Sequence, residues 1–342
     1  MEYLQKEQRN YLFDNIKVVL IVSVVMAHFF RVSGYFPTGS LSKAIYTIIF
    51  IYLMQGFFFV SGYFSHNVDK CRKTAFKTFI VPYIVFMILY YFTRVLVFGH
   101  ATLSFLEPTH GMWYLLAMFV YRFFIKDLEK IPHVLWISLG LYFAASVIPP
   151  LNETLALGRI FSFLFFFLLG FYCTPERIAK IKDVSAAFGV TLAIVVVTIS
   201  MYLVSAGADI DFLLLKYSFV DYGVTPLYAL AARAVMLVLS LSAILVIIAL
   251  TPEKHNLFTN IGQNTMTVYL GHIFIRYIIK GSGIYGHGNV IYYLIVFGLT
   301  FITVFVFSRP FMSRGYNAMI NGIYDICIEA PKRMIRGEKK QK

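Results

Sequence analysis

The residues best suited to chemistry in this 342-residue chain lie in its first apolar stretch, where Lys17 and His28 stand eleven positions apart. Eleven steps of about 100° complete three turns, so both side chains leave a helix on nearly the same face, and Asp14 shares it. Ionisable groups along one stripe of a membrane helix are costly and usually mark a functional site. The two residues are roughly 16 Å apart along the helix axis, about half of a ~30 Å hydrocarbon core. This spacing favours chemistry conducted across a membrane, with His28 as a general base.

A second histidine, His272, lies about as deep in a later apolar segment as His28 does in the first. Tyr269 and Arg276 flank it at i−3 and i+4, so all three side chains face the same way. His272 is interpreted as orienting His28 or binding an acceptor, with a helix-packing hydrogen bond as the equal alternative. Gln55, near the middle of the second apolar segment, needs a hydrogen-bond partner at that depth, while Gly56, Ser61 and Gly62 after it predict close helix packing. Gln55, Tyr269 and Arg276 are candidate donors to an oxyanion.

A basic segment, HNVDKCRKTAFKTF at 65–78, precedes the third apolar stretch and contains Arg72, Lys73 and Lys77, with Tyr83 shortly after it. Arginine and lysine recognise phosphates through charge-assisted hydrogen bonds, so the segment is a candidate phosphate-binding patch. Plain positive-inside topology is the alternative interpretation.

Three residues towards the other side are candidates for binding or orienting an acceptor: Arg94, Trp113 and Arg159. They would line a vestibule for a sugar or an anionic lipid-linked substrate. Arginines that snorkel and an interfacial aromatic belt are the structural alternatives. Asp14 is predicted to pair with Lys17 or with a basic group of another helix, since about 21 Å of helix separates it from His28.

Composition places the chain in a membrane. It is 59% hydrophobic and 14% charged, with a mean hydropathy of +0.73, whereas soluble domains average about 25% charged residues. The net charge of +13 is concentrated in segments on one predicted side, which is the positive-inside bias and not a nucleic-acid-binding surface. No CxxC spacing is present among the three cysteines, so neither a disulfide nor a metal site is expected.

The apolar runs predict an all-α, polytopic membrane protein with about ten transmembrane helices and both termini in the cytoplasm. Residues 1–308 would form the transmembrane domain, and residues 309–342 a basic cytoplasmic tail. An interfacial amphipathic helix in that tail, with Met319, Ile323, Ile326 and Cys327 on one face, is one expectation, and a disordered tail is the alternative. The ten helices are predicted at 15–34, 43–64, 79–98, 111–126, 132–148, 159–174, 185–206, 227–250, 262–280 and 289–308.

Several segments in order along residues 11–272 resemble the acyltransferase family 3 of integral-membrane O-acyltransferases. They are the first helix with Asp14, Lys17 and His28, then QGFFFVSGYF, the basic loop before Pro82, GMWYLLAMFVYR, GRIFSFLFFFLLGFY and IGQNTMTVYLGH. The resemblance assigns His28 as the catalytic histidine, and Lys17 stands where an arginine is usual. Lysine keeps the charge but lacks the bidentate fork.

The resemblance implies transfer of an acyl group, usually acetyl, from cytosolic acyl-CoA to a hydroxyl of an extracytoplasmic polysaccharide or lipid-linked sugar. Acetyl-CoA or another acyl-CoA would be a co-substrate, with no permanently bound cofactor. Lys17, Arg72, Lys73, Lys77 and Tyr83 are the expected acyl-CoA-binding residues. The expected partners are the carbohydrate acceptor and lipids of a bacterial-type cell membrane, and no nucleic acid. A membrane exporter or flippase of a glycan or lipid-linked sugar is the alternative function.

Overall fold

The computed structural model describes residues 10–33, 35–148, 154–207, 209–283 and 288–332, and every regular element in these ranges is helical. One-turn 3₁₀ and π segments join or extend several of the helices. The α-helices are α1 (Leu12–Ser33), α2 (Leu41–Tyr63), α3 (Val68–Ala75), α4 (Val81–Phe98), α5 (Trp113–Leu128), α6 (Val134–Ala144), α7 (Leu157–Phe171), α8 (Pro175–Lys182), α9 (Ala186–Ser205), α10 (Pro226–Leu250), α11 (Thr259–Gln263), α12 (Thr265–Gly281), α13 (Val290–Phe307) and α14 (Pro310–Tyr324).

Seven helical stretches in the described part of the chain are long and apolar enough to cross a membrane, which confirms a multi-pass all-α protein. They coincide with α1, α2, α3–α4, α7 with the turn before it, α9, α10 and α13. The other three predicted spans are helical as well. They form α5 with 16 residues, α6 with 11 and α12 with 17. The count of ten spans and the cytoplasmic placement of both termini stay predictions.

Contacts between distant parts of the chain define two ends of the bundle. At the first, which we call the basic end, the start of α1 meets the segment after α10 through the Tyr11 N–H and the Glu253 carbonyl at 3.0 Å. Arg72 of α3 pairs there with Asp127 of α5. At the opposite end, Arg31 of α1 pairs with Asp211 of the α9–α10 connection at 3.0 Å. The cationic segments of the sequence therefore gather where α1 begins.

The basic segment 65–78, predicted as a loop, is largely helical. Asn67 caps α3 by accepting a hydrogen bond from the Lys70 N–H at 3.0 Å. A π turn at Phe76–Ile80 connects α3 to α4. Pro82 has no N–H to donate to the preceding turn, which breaks the regular ladder at this point. Charge density made the segment resemble a loop, although its residues favour a helix.

Helices α2 and α7 pack with their backbones in contact, and two glycines make this approach possible. A Cβ at Gly62 would overlap the Phe167 carbonyl, and a Cβ at Gly170 would overlap the Phe59 carbonyl. Small residues let membrane helices approach backbone to backbone. Gly56, in the same helix, faces Leu20 of α1, with 2.9 Å to a built Cβ. The expectation that Gly56 and Gly62 mark close helix packing is confirmed.

The connection between α4 and α5 folds back along α4. The Tyr83 hydroxyl donates to the Phe105 carbonyl at 2.7 Å, and the Thr109 hydroxyl lies 3.4 Å from the Met87 sulfur. Met87 is eleven residues before the end of α4 at Phe98, or roughly 16 Å along the axis. Because the chain descends this far before α5 begins, α5 needs only 16 residues to reach the basic end.

Part of the predicted tail packs against the bundle. In α14, Ile320 is buried, and the Tyr316 ring lies 6.3 Å from that of Phe86. A π turn at Asp325–Glu329 follows α14 and rotates the later residues relative to it, and Ile326 is 72% exposed. Placement of this helix at a membrane interface, and the boundary at residue 308, stay predictions. The cluster of basic residues in the tail from residue 333 onwards lies outside the described residues.

Candidate active site

His28 lines a cavity of about 300 Å³ formed by α1, α2, α5, α7 and α12 together with three connecting segments near the opposite end. We call it the His28 cavity. Its lining residues are Ala27, His28, Arg31, Tyr46, Phe50, Pro108, His110, Trp113, Ala156, Arg159, Leu214, Lys216 and Arg276. The predicted residues His28, Trp113, Arg159 and Arg276 therefore come together from four different helices.

His28 and His272 are in direct ring contact, with centroids 4.9 Å apart. His272 is fully buried, and its Nδ1 lies 3.1 Å from the Val268 carbonyl. A carbonyl only accepts, so Nδ1 carries the proton and Nε2 of the neutral ring holds a lone pair. That Nε2 has no partner among the described residues. The pair thus combines a half-buried imidazole facing the cavity with a second imidazole offering an acceptor beside it.

Arg276 binds His110, with Nη1 and Nε2 2.9 Å apart. Since a guanidinium only donates, Nε2 of His110 must be the acceptor, and its Nδ1 is left to carry the proton. His110 has a positive φ of 48°. Residues other than glycine rarely adopt this backbone conformation, and those that do are enriched at functional sites. The turn also brings the Gly111 carbonyl to the Tyr269 hydroxyl. Both contacts fix the start of α5 against α12.

Arg159 of α7 lies over the Trp113 ring, 4.7 Å from its centroid. A guanidinium over an aromatic face is attracted by the ring quadrupole. Its Nε is buried and has no hydrogen-bond partner in the described residues. Trp113 is itself 7% exposed and packs against Phe163, with centroids 5.3 Å apart. The arrangement presents a rigid aromatic and cationic wall to the His28 cavity.

Lys17 lies nearer the basic end of the same α1 face and lines two further cavities. The first, about 610 Å³, opens among the start of α1, the end of α2 and α8, and we call it the basic-end cavity. The second, about 100 Å³, is the middle cavity, which Lys17 shares with Ser61, Tyr114 and Tyr269. Lys17 pairs with Asp14 at 2.8 Å, as predicted. Three cavities thus follow α1 from the basic end to His28.

Tyr269 stands between the middle cavity and the His28 cavity. It lines the middle cavity, and its ring centroid is 5.5 Å from that of Tyr114 and 6.0 Å from that of His272. His272 in turn contacts His28. Aromatic side chains therefore lie between the two spaces at this point, and the Tyr269 hydroxyl is hydrogen-bonded there to the Gly111 carbonyl.

Six of the predicted site residues line none of the three cavities along α1. Arg72 donates to the Phe123 carbonyl at 2.8 Å and pairs with Asp127. Lys77 lies 4.9 Å from the Tyr324 ring centroid, and Lys73 is exposed at the basic end. Neither these three residues nor Tyr83 lines a cavity that contains Lys17.

The other two of these six residues also lie outside the cavities. Arg94 donates to the Thr102 carbonyl at 2.7 Å. Gln55 is buried in α2, with Oε1 unpartnered among the described residues.

Three polar residues that line the His28 cavity, Arg31, Tyr46 and Lys216, were not predicted from the sequence, and His110 was predicted only to lie towards the outer side. A signal existed for Arg31, because it follows His28 at i+3 and shares its helix face. His110 was recognisable as a histidine beside Trp113, but nothing predicted that its segment descends along α4. Lys216 lies in an irregular connection, where periodicity carries no information.

The described residues contain no cluster of three or more His, Cys, Asp or Glu side chains suited to a metal ion.

Comparison with curated proteins and with solved structures finds no match. A family model described as an acyltransferase domain, that of acyltransferase family 3, matches residues 10–309. The chain belongs to this family.

Membership of acyltransferase family 3 establishes a multi-pass membrane acyltransferase. The matched range includes all three cavities along α1 and ends at Arg309, immediately before α14. The aromatic and basic residues that surround His28 therefore all belong to the acyltransferase domain.

Proposed function

We propose that this acyltransferase moves an acyl group, in the first instance acetyl, from cytosolic acyl-CoA to a hydroxyl of an extracytoplasmic polysaccharide or lipid-linked sugar. The observation that supports it best is the series of cavities along one face of α1, with Lys17 in the first two and His28 in the third. The proposed location is a bacterial-type cell membrane with the basic end in the cytosol.

In the proposed reaction, the thioester arm of acyl-CoA reaches from the basic-end cavity through the middle cavity towards His28. An extended arm spans the roughly 16 Å between Lys17 and His28. Of the predicted donor-binding residues, Lys17 alone lines this path, and its ammonium group would bind a phosphate or carbonyl oxygen of the donor. Passage past Tyr269 requires its ring to rotate and its hydroxyl to release the Gly111 carbonyl.

His28 then takes the proton of the acceptor hydroxyl as that oxygen attacks the thioester carbon. The carbon–sulfur bond breaks, and the thiolate leaves and accepts the proton that His28 holds. His272 is proposed as a positioning residue, because its Nε2, which has no partner among the described residues, would accept a hydrogen bond from the His28 imidazolium and hold that ring in place. Arg276 lines the same cavity and is the proposed donor to the developing oxyanion. Transfer through an acyl-His28 intermediate uses the same residues with two successive attacks.

The test is acetyl transfer by protein reconstituted in vesicles, with free CoA thiol and labelled glycan measured separately. His28→Ala is expected to lower transfer by a factor of about 10² to 10⁴, as expected for loss of a general base. His100→Ala is the matched control, because His100 is exposed on the α4–α5 connection and lines none of the cavities described above. Wild-type transfer by His28→Ala would refute the assignment. Glycan movement without any acyl-CoA would instead favour the exporter.

A further inference from the structure

The His28 cavity is strongly cationic. Four of its lining residues are Arg31, Arg159, Lys216 and Arg276, and none of the described residues that line it is Asp or Glu. Several cations close together in one cavity repel one another and are costly without a counter-charge. The charges therefore call for an anion from outside the described residues.

The contacts that the described residues make with one another compensate only part of the charge on the three arginines. Arg31 pairs with Asp211 at 3.0 Å. Arg276 is bonded to His110, whose accepting nitrogen supplies no negative charge. Arg159 rests on the Trp113 ring. The Nε atoms of Arg159 and Arg276 are buried and unpartnered among the described residues, although guanidinium groups are seldom left so.

Lys216, in the connection between α9 and α10, is a half-buried ammonium group near Arg31. Burial, and then the neighbouring Arg31, lower the pKa of its ammonium group below the ordinary value. A like charge nearby disfavours the protonated form, and an anion in the cavity would reverse the effect.

The remaining wall of the cavity suits a sugar ring. Trp113 is packed under the Arg159 guanidinium, and Tyr46 and Phe50 of α2 also line the cavity. The two α2 rings offer apolar area for the C–H surface of a pyranose, while His28 lies in the same cavity to take a hydroxyl proton. The cavity thus combines an aromatic platform, a base and uncompensated guanidinium groups.

We propose that the acceptor is an acidic sugar, with a carboxylate or phosphate that Arg159 binds while Arg276 remains the oxyanion donor and His28 acts on a hydroxyl of the same unit. The proposal rests on the acyltransferase function proposed above and specifies its acceptor. Arginine is suited to both anions, because its planar fork binds two oxygens at once. Lys216 would close over the anion from the outer connection.

Binding is measured without any donor, using Trp113 as the reporter. The chain has two tryptophans, and Trp136 is 67% exposed on α6, so Trp136→Phe leaves Trp113 as the only tryptophan, which is excited selectively at wavelengths where tyrosine does not absorb. Three probes that differ at one carbon are titrated: methyl glucoside, methyl glucuronide, and methyl glucoside 6-phosphate. We expect one or both acids to bind at least about 10-fold more tightly than the neutral sugar, with affinity falling as salt is added.

Arg159→Gln and, independently, Lys216→Gln are expected to remove most of that preference, and Arg314→Gln to keep it. Arg314 is exposed on α14, outside the His28 cavity, and is the matched control. Equal affinity for all three probes would overturn the proposal, as would an unchanged preference in folded Arg159→Gln and Lys216→Gln proteins. A fluorescence response to adenosine 3′,5′-bisphosphate alone would assign the cations to the donor and would also overturn it.

A transfer assay with acetyl-CoA and the same probes separates this proposal from the proposed function. Acetylation of methyl glucoside as fast as of both acids would overturn the acidic-acceptor proposal and leave the acyltransferase function standing. Preferential binding of the acids together with no acetyl transfer to any sugar would support the anion site and count against the proposed reaction.

Discussion

His28 acquires its chemical character from what stands beside it. A lone histidine in an apolar helix is usually a packing residue, but here it faces a cavity and contacts a second histidine whose Nε2 is unpartnered among the described residues. Lys17, three turns earlier on α1, lines both cavities that lead from the basic end. One helix face thus carries a cation at the start of the path and a base at its end.

Lys17→Met is expected to raise the KM for acyl-CoA about 10-fold, because one charge-assisted hydrogen bond to the donor is lost. Lys17→Arg is expected to keep or lower that KM, since the guanidinium fork adds a second hydrogen bond. Initial rates at varied acyl-CoA measure both. Lys130→Met is the control, as Lys130 is 66% exposed beyond α5. An unchanged KM in Lys17→Met would remove Lys17 from the donor path.

His272→Asn is expected to lower kcat about 10-fold or more while KM for either substrate changes little. The asparagine amide retains a donor for the Val268 carbonyl, but it lacks the ring nitrogen that orients His28. Steady-state kinetics at saturating substrates measure the difference. A change in KM alone would show that His272 binds a substrate and does not position the base.

At the scale of helices, backbone contact between α2 and α7 holds α7, and with it Arg159, against α2 and α5. Gly62 and Gly170 each face a carbonyl of the other helix. The sequence already indicated this packing through Gly56 and Gly62. It did not indicate the descent of the α4–α5 connection, because Tyr83, Met87 and their partners interact across many residues and leave no periodic pattern.

Gly62→Ala is expected to destabilise the protein by about 2 kcal/mol or more, because overpacking against backbone cannot be relieved by rotating a side chain. Gly140→Ala in α6 is the control, since its Cβ would meet no atom within 4 Å, and alanine is a better helix former. Thermal unfolding in detergent compares the two. Equal stability of both variants would contradict the close approach of α2 and α7.

At the scale of the whole molecule, a basic end and a cationic cavity near the opposite end are joined by α1. The all-helical architecture and the depth match of His28 and His272 followed from apolar length and helix periodicity. The short helices α5, α6 and α12 leave the number of spans open on length alone. Two residues of the predicted phosphate patch have other partners in the fold: Arg72 pairs with Asp127, and Lys77 lies near Tyr324. Neither lines a cavity with Lys17.

The predicted topology is tested with a membrane-impermeant maleimide. Cys71 and Cys173 are buried, and Cys327 is exposed near the basic end. We expect Cys327 to react in inverted vesicles and to be protected in intact cells. In a Cys327→Ser background, His100→Cys at the opposite end is expected to show the reverse pattern. Labelling of Cys327 from outside intact cells would place the basic end outside and contradict the topology.

The central claim is that an acyl group crosses the membrane domain to reach a hydroxyl activated by His28. Its most direct test encloses a glycan in sealed vesicles and supplies isotopically labelled acetyl-CoA only at the basic end of the protein. We expect labelled acetyl esters on the enclosed glycan with the wild type and with His100→Ala, and we expect no labelled esters with His28→Ala. Labelled glycan formed by folded His28→Ala protein, or unlabelled glycan moved across the membrane by the wild type, would contradict it.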